Sequence, residues 1–271
     1  MKPYFLVYLL IFSSLSTCLS KEYIDPTLIT LTDVNFEKAL VENKLDTDNL
    51  VNGQIKRVDA EAIKTLNVSN QAIKSLEGIE GFLNLVYLDC SFNQIIKLDI
   101  SSNLFLQSLD CSSNQIVSLD CSKNRQLINL SCSNNKVKTI NISSKLLYAV
   151  NADNNQVESF VAENSEKLNF ISLKNNLLST INLKANPEIR ELYCDKNRLT
   201  TIDLAKNTRL VLLTLSNNLL TSLSLCNNPE LKKVVSVGNK IDTVFVPKQS
   251  IGIFTAQSKD FNSTTSIESC K

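Results

Sequence analysis

The amino-acid sequence predicts a repeat solenoid, a chain wound into stacked coils with a parallel β-sheet along one side. Two observations predict it. An apolar template, L-x-x-L-x-L-x-x-N-x-L, starts at Leu85, Leu106, Leu127, Leu147, Leu168, Ile189, Leu210 and Leu231, a spacing of 21 residues with a single step of 20. The ninth slot of every unit is asparagine: Asn93, Asn114, Asn135, Asn155, Asn176, Asn197, Asn218 and Asn239. Leucines in a loose pattern recur by chance, but eight asparagines in register do not.

Taken in chain order, residues 1–20 read as a secretory signal peptide. Lys2 is followed by "YFLVYLLIFSSLSTCLS", an apolar run too short to span a bilayer comfortably. Cleavage after Ser20 places Cys18 and Ser20 at the two small-residue positions. The stretch Leu15 to Cys18, "LSTC", also resembles a lipoprotein box, in which Cys18 would be acylated; Thr17 departs from that pattern. An uncleaved anchor is the third option, and no other segment is apolar enough to cross a membrane. Residues 21–62 are expected to form an N-terminal helical cap. Asp33 can cap a helix whose one face carries Phe36, Ala39 and Leu40, and that face would cover the apolar end of the first coil. "AIKTLNVSNQAIKSLEGIEGF", Ala62 to Phe82, serves as a divergent first turn, with 22 residues from Ile63 to Leu85.

Within one repeat, "LVYLDCSFNQIIKLDISSN" (Leu85 to Asn103) writes LD-x-S-x-N twice. The first phrase is a short strand with Leu88 and Cys90 pointing inward and Tyr87, Asp89 and Ser91 outward. The second, Leu98 to Ile100, is the return path on the far side, again inserting two apolar side chains. One coil cannot bury these positions alone, but neighbours stacked at about 4.8 Å cover it and make the core continuous. The asparagine stands where the strand ends and the chain bends inward. Its amide both donates and accepts, so it can pair backbone groups that the bend would otherwise leave buried and unsatisfied.

These motifs resemble the leucine-rich repeat family, specifically the short bacterial type of internalin-like surface proteins. They are similar above all to the "LxxLDCSxNxLxxLDLSxN" arrays of exported Bacteroidetes proteins. The resemblance covers residues 63–247, the solenoid of a divergent turn plus eight repeats, and it implies a helical segment ahead of the array, as "DVNFEKALVENKLDTDNLVNGQI" suggests. Such proteins often carry a C-terminal sorting domain; with residues 248–271 forming only a cap or tail, that domain is expected to be absent.

Chemistry-bearing residues are sparse. With no histidine there is no Ser-His-Asp or Cys-His pair and no histidine-ligated metal, and the five glycines form neither a phosphate loop nor a dinucleotide fingerprint. "DTDNLVNG" from Asp46 fails as a calcium loop, with Val51 where the turn needs glycine and Arg57 where a bidentate glutamate belongs. Asp89 and Asp110, on adjacent coils, read as solvated like charges rather than an acid and base pair. The acceptor-like triplets at Asn67, Asn129, Asn141 and Asn262 carry little weight in a bacterial chain. Cys90, Cys111, Cys132 and Cys194 share the sixth slot and read as core residues, with Cys121 in a return segment. Cys226 and Cys270 could staple the C-terminal end in an oxidising compartment. The formal net charge is +1, and about zero once Lys2 is removed, so no strong field draws the chain to nucleic acid or anionic lipid; a membrane is reached only through an anchor at Cys18.

What remains is the outward face of the strands. Its first half is small and polar. In the second half four adjacent coils expose Phe170, Tyr193, Leu212 and Val235, with Lys174, Arg190, Glu191 and Asp195 around them. An aromatic and apolar cluster rimmed by charge has the composition of a protein-binding hot spot; the alternative is that the tail packs over it. The sequence therefore predicts an exported, non-enzymatic module that takes no cofactor or metal and binds a partner protein, or less favourably a glycan, on its concave sheet. The competing reading is a structural spacer of the cell envelope without a private ligand.

Overall fold

The computed structural model describes residues 25–256 and 260–270. The expected signal peptide, and with it Cys18, lies outside them. The spine of the molecule is a nine-stranded parallel sheet in which strand order equals chain order: Thr65–Asn67, Tyr87–Asp89, Ser108–Asp110, Asn129–Ser131, Ala149–Asn151, Phe170–Ser172, Glu191–Tyr193, Leu212–Thr214 and Lys233–Val235. Each strand contributes one inward residue between two outward ones, and the inward column from Leu66 to Val234 is buried throughout. Register is strict. Tyr87 pairs with Ser108, Ser108 with Asn129, and so on to Lys233, so outward residues of one slot form continuous columns. On the opposite side the return segments insert buried residues such as Leu98 and Ile100. Three of them, Leu119–Cys121, Thr139–Ser143 and Ser159–Glu163, pair as a second parallel sheet.

Each strand ends in a bend whose eighth-slot residue has positive φ: Phe92, Ser113, Asn134, Asn154, Asn175, Lys196, Asn217 and Gly238. Asparagine tolerates that region better than other side chains, which accounts for its frequency there. At Gly238 space decides as well, because a Cβ would stand 2.4 Å from Asn217 Oδ1.

The ninth-slot asparagines lie buried behind these bends. Asn176 is representative: its Nδ2 donates to the carbonyls of Ala152 (2.9 Å), Leu173 (3.1 Å) and Lys174 (3.2 Å), and its Oδ1 accepts from Val157 N–H (2.8 Å). Asn155 repeats the pattern with Cys132, Ala152, Asp153 and Val137. Each sixth-slot carbonyl thereby takes one donor from its own coil and one from the next.

A second ladder runs along the return side, and sequence reasoning had not singled it out. Asn103, Asn124, Asn186, Asn207 and Asn228, with Ser144 and Ser165 interposed, are all buried. Asn124 Nδ2 donates to the carbonyls of Ile100 and Asn103, both at 3.0 Å, and its Oδ1 has no partner. In its place in the stack, Ser144 Oγ donates to the carbonyl of Leu127 at 2.7 Å.

The N-terminal end is closed by more than one helix. Val34–Glu42 is capped by Asp33, whose Oδ1 accepts from Asn35 and Phe36 N–H while Oδ2 accepts from Lys74 and Ser75 N–H in the first coil. Phe36 meets Phe82 at 5.9 Å between ring centroids. An antiparallel pair, Leu28–Thr30 with Gln54–Lys56, and a short helix, Arg57–Ala62, complete this end. The pair packs so close that a Cβ on Gly81 would fall 2.3 Å from Ile29 Cδ1.

At the other end the tail does not cross the concave face; it continues the stack. Ser236 N–H donates to Asp260 O, Asn262 Nδ2 donates to Asn239 O, and Phe261 fills a core position. Ser266–Ser269 pairs in parallel with Thr243–Val246, and a disulfide joins Cys226 to Cys270. The other five described cysteines are buried free thiols; burial pushes them all up, Cys121 to about 12.

Candidate functional site on the concave sheet

Strand register decides which candidate residues meet. Phe170, Glu191 and Leu212 occupy one column, and Tyr193 and Val235 the column two residues on. The apolar residues therefore alternate diagonally over four strands. Phe170 and Tyr193 touch, with ring centroids 5.6 Å apart at 48°, and Lys174 Nζ lies 4.3 Å from the centroid of the Tyr193 ring. The Tyr193 hydroxyl donates to Glu191 Oε2 at 2.9 Å. Its phenol is held above the usual range, first by partial burial, then by that hydrogen bond and by the charges of Glu191 and Asp195.

The expected exposure is corrected by this packing. Phe170, Tyr193, Leu212 and Val235 are all half-buried, with the Phe170 and Tyr193 rings in contact and Lys174 Nζ over the Tyr193 ring. The charged residues are also more constrained than a solvated rim. Asp153 Oδ1 accepts from Ser172 Oγ (2.6 Å) and Lys174 N–H (2.8 Å) of the next coil, and Asp195 accepts from Thr214 Oγ1 and from Ser216 N–H (2.8 Å). Arg190 pairs with Glu230 at 3.6 Å on the flank of the sheet, away from the ring pair. The result is a shallow patch with fixed carboxylates, one ring pair and one cation held over a ring.

Asp89 and Asp110 are register neighbours, and each turns Oδ1 back to the Ser N–H and hydroxyl two residues on. Among the described residues no group of three or more Cys, Asp or Glu could hold a metal ion, and no helix is long and apolar enough to cross a membrane.

The stacked coils and their parallel sheet have counterparts in solved structures. Internalin C2 of Listeria monocytogenes is 21% identical, with a TM-score of 0.55 over 77% of this chain and 95% of that one. The fold is the leucine-rich repeat. YopM of Yersinia pestis, a leucine-rich effector, is 24% identical with a TM-score of 0.50 over 60% of this chain and 52% of that one. Toll of Drosophila, solved as its complex with Spatzle, is 24% identical with a TM-score of 0.56, over 66% of this chain and 27% of that one. No family model and no curated protein matches the chain.

Proposed function

We propose that this chain is an exported, non-enzymatic leucine-rich repeat protein that binds a partner protein through the second half of its concave sheet. The observation that carries the reading is the Phe170–Tyr193 ring pair with Lys174 over it, set among carboxylates already fixed by the next coil. Half-buried aromatics at the centre of a patch, held before any partner arrives, lose little conformational freedom on binding. The Toll structure supports the reading, since a leucine-rich repeat there is seen in complex with a protein.

The test is Phe170→Ser combined with Tyr193→Ser. Crosslinking in the native cell should lose the partner captured by the unaltered chain, while the cooperative melt is kept. An unchanged crosslinking profile would refute the patch. A wild-type chain that crosslinks to no protein, yet whose removal weakens the envelope, would establish the spacer reading instead. N-terminal sequencing of the mature chain tests export, with Lys21 or an acylated Cys18 expected first.

A further inference from the structure

A second, separate surface lies in the first half of the array, on the loops that lead into the strands. Leu83 (40% exposed), Leu104 (52%), Phe105 (57%) and Tyr87 (36%) stand out from adjacent coils. Phe105 lines a groove of about 260 Å³ with Val86, Asn84, Gln107, Gln126 and Lys64. The repeat supplies its own control for these residues. The two loop positions held by Leu83, Leu104 and Phe105 carry charge further along at Arg125, Lys145, Glu166, Lys167, Glu188, Arg209 and Glu230, the others being Gln126, Leu146, Pro187, Thr208 and Pro229. There Glu188 pairs with Arg209 and Glu230 with Arg190. Folding therefore does not require apolar residues at these positions, and apolar side chains exposed together on adjacent coils are the kind of surface that interaction sites use.

The charge beside it selects the occupant. Asp89 lies two residues beyond Tyr87, about 7 Å along the strand, and Asp110 is its register neighbour. Neither forms an ion pair among the described residues, and only Oδ1 of each is engaged by its own Ser. The phenol of Tyr87 senses them, being raised by partial burial and then by the charges of Asp89 and Asp110. We infer that this surface docks a protein segment carrying a bulky apolar side chain followed within a few extended residues by Lys or Arg. The apolar group meets Phe105 and Leu104, the ring of Tyr87 lies between, and the cation reaches Asp89 and Asp110. An anionic lipid surface has the wrong sign for those carboxylates.

An array of synthetic nine-residue peptides tests this on the full chain. One set carries Leu or Trp followed by Arg-Lys, and a matched set carries Glu-Glu in place of the basic pair. The basic set should bind and the acidic set should not. Phe105→Ser and Asp110→Asn should each weaken binding tenfold or more, with thermal melts unchanged because Phe105 is exposed and the amide of Asp110→Asn keeps an oxygen to accept from Ser112. Phe170→Ser should leave it intact, which separates this surface from the patch proposed above. Equal binding of the two sets would overturn the inference, as would equal loss in Phe170→Ser. So would sedimentation showing that Phe105→Ser dissolves a dimer, or flotation showing that it releases the chain from phosphatidylserine vesicles.

Discussion

Replacing Asn176 with alanine removes four hydrogen bonds, yet the structure predicts a penalty far below their sum. Three of the four acceptors and donors it serves keep another partner. The carbonyl of Ala152 retains Asn155 Nδ2, that of Leu173 retains Asn197 Nδ2, and that of Lys174 retains Asn154 N–H. Only Val157 N–H, in a buried position, loses its acceptor. A single orphaned buried donor costs about 1–3 kcal/mol, so Asn176→Ala should destabilise by about 2 kcal/mol. Asn176→Asp should be worse, beyond about 3 kcal/mol, because it keeps the acceptor but turns a carboxylate oxygen towards three carbonyls. Asn124→Ala on the return side is the internal comparison. The carbonyls of Ile100 and Asn103 retain Asn103 N–H and Leu106 N–H, and the substitution also removes an unpartnered Oδ1, so about 1 kcal/mol is expected. Urea denaturation of the three variants, with native-state hydrogen exchange at Val157, measures the series. An order in which Asn124→Ala is the most damaging, or Asn176→Asp the least, would refute the reasoning.

Two further perturbations act at the ends of the stack. Reduction of Cys226–Cys270 opens a crosslink spanning 44 residues, which loop-closure entropy values at about 4 kcal/mol, so the reduced protein should lose exchange protection first in Ser266–Ser269 while its five buried thiols stay unlabelled; an unchanged melt on reduction would contradict this. Asp33→Ala removes the acceptor of four backbone N–H groups and should destabilise by about 2 kcal/mol at neutral pH. Partial burial pushes the Asp33 carboxyl up, but the backbone donors outweigh it and hold it below its ordinary 3.8. A lowered folded pKa contributes stability above the unfolded value, so the gap between wild type and variant should be full at neutral pH and shrink as pH falls below about 3.8. Parallel acid titrations that stay equally spaced would count against that account.

The coil was legible because each of its requirements recurs. Leu88, Leu109 and Leu130 must point inward on every turn, so the pattern is written again and again. The return-side ladder was harder to see because Ser144 and Ser165 interrupt the asparagines, Ser144 Oγ reaching the preceding coil at Leu127 O and Ser165 Oγ bonding only Glu163 O of its own coil, and a search for one residue type passes over them. The antiparallel pair at the N-terminal end joins Leu28–Thr30 to Gln54–Lys56 across a helix, and three-residue strands leave too short an alternation to read. The half-burial of Phe170 and Tyr193 was not legible, since their contact depends on diagonal neighbours in two strands. Phe105 was missed because it precedes its strand, outside the columns that alternation marks.

The sharing of each sixth-slot carbonyl between two amides has a consequence for how such a chain can change over generations. Deleting or duplicating one complete winding leaves every amide with an acceptor, and the 20-residue coil from Leu127 pairs as its 21-residue neighbours do, whereas a change that leaves part of a winding breaks the pairing at the seam. The gene can therefore be edited in blocks of one winding, each changing the length of the sheet by about 4.8 Å, so its span comes in discrete sizes.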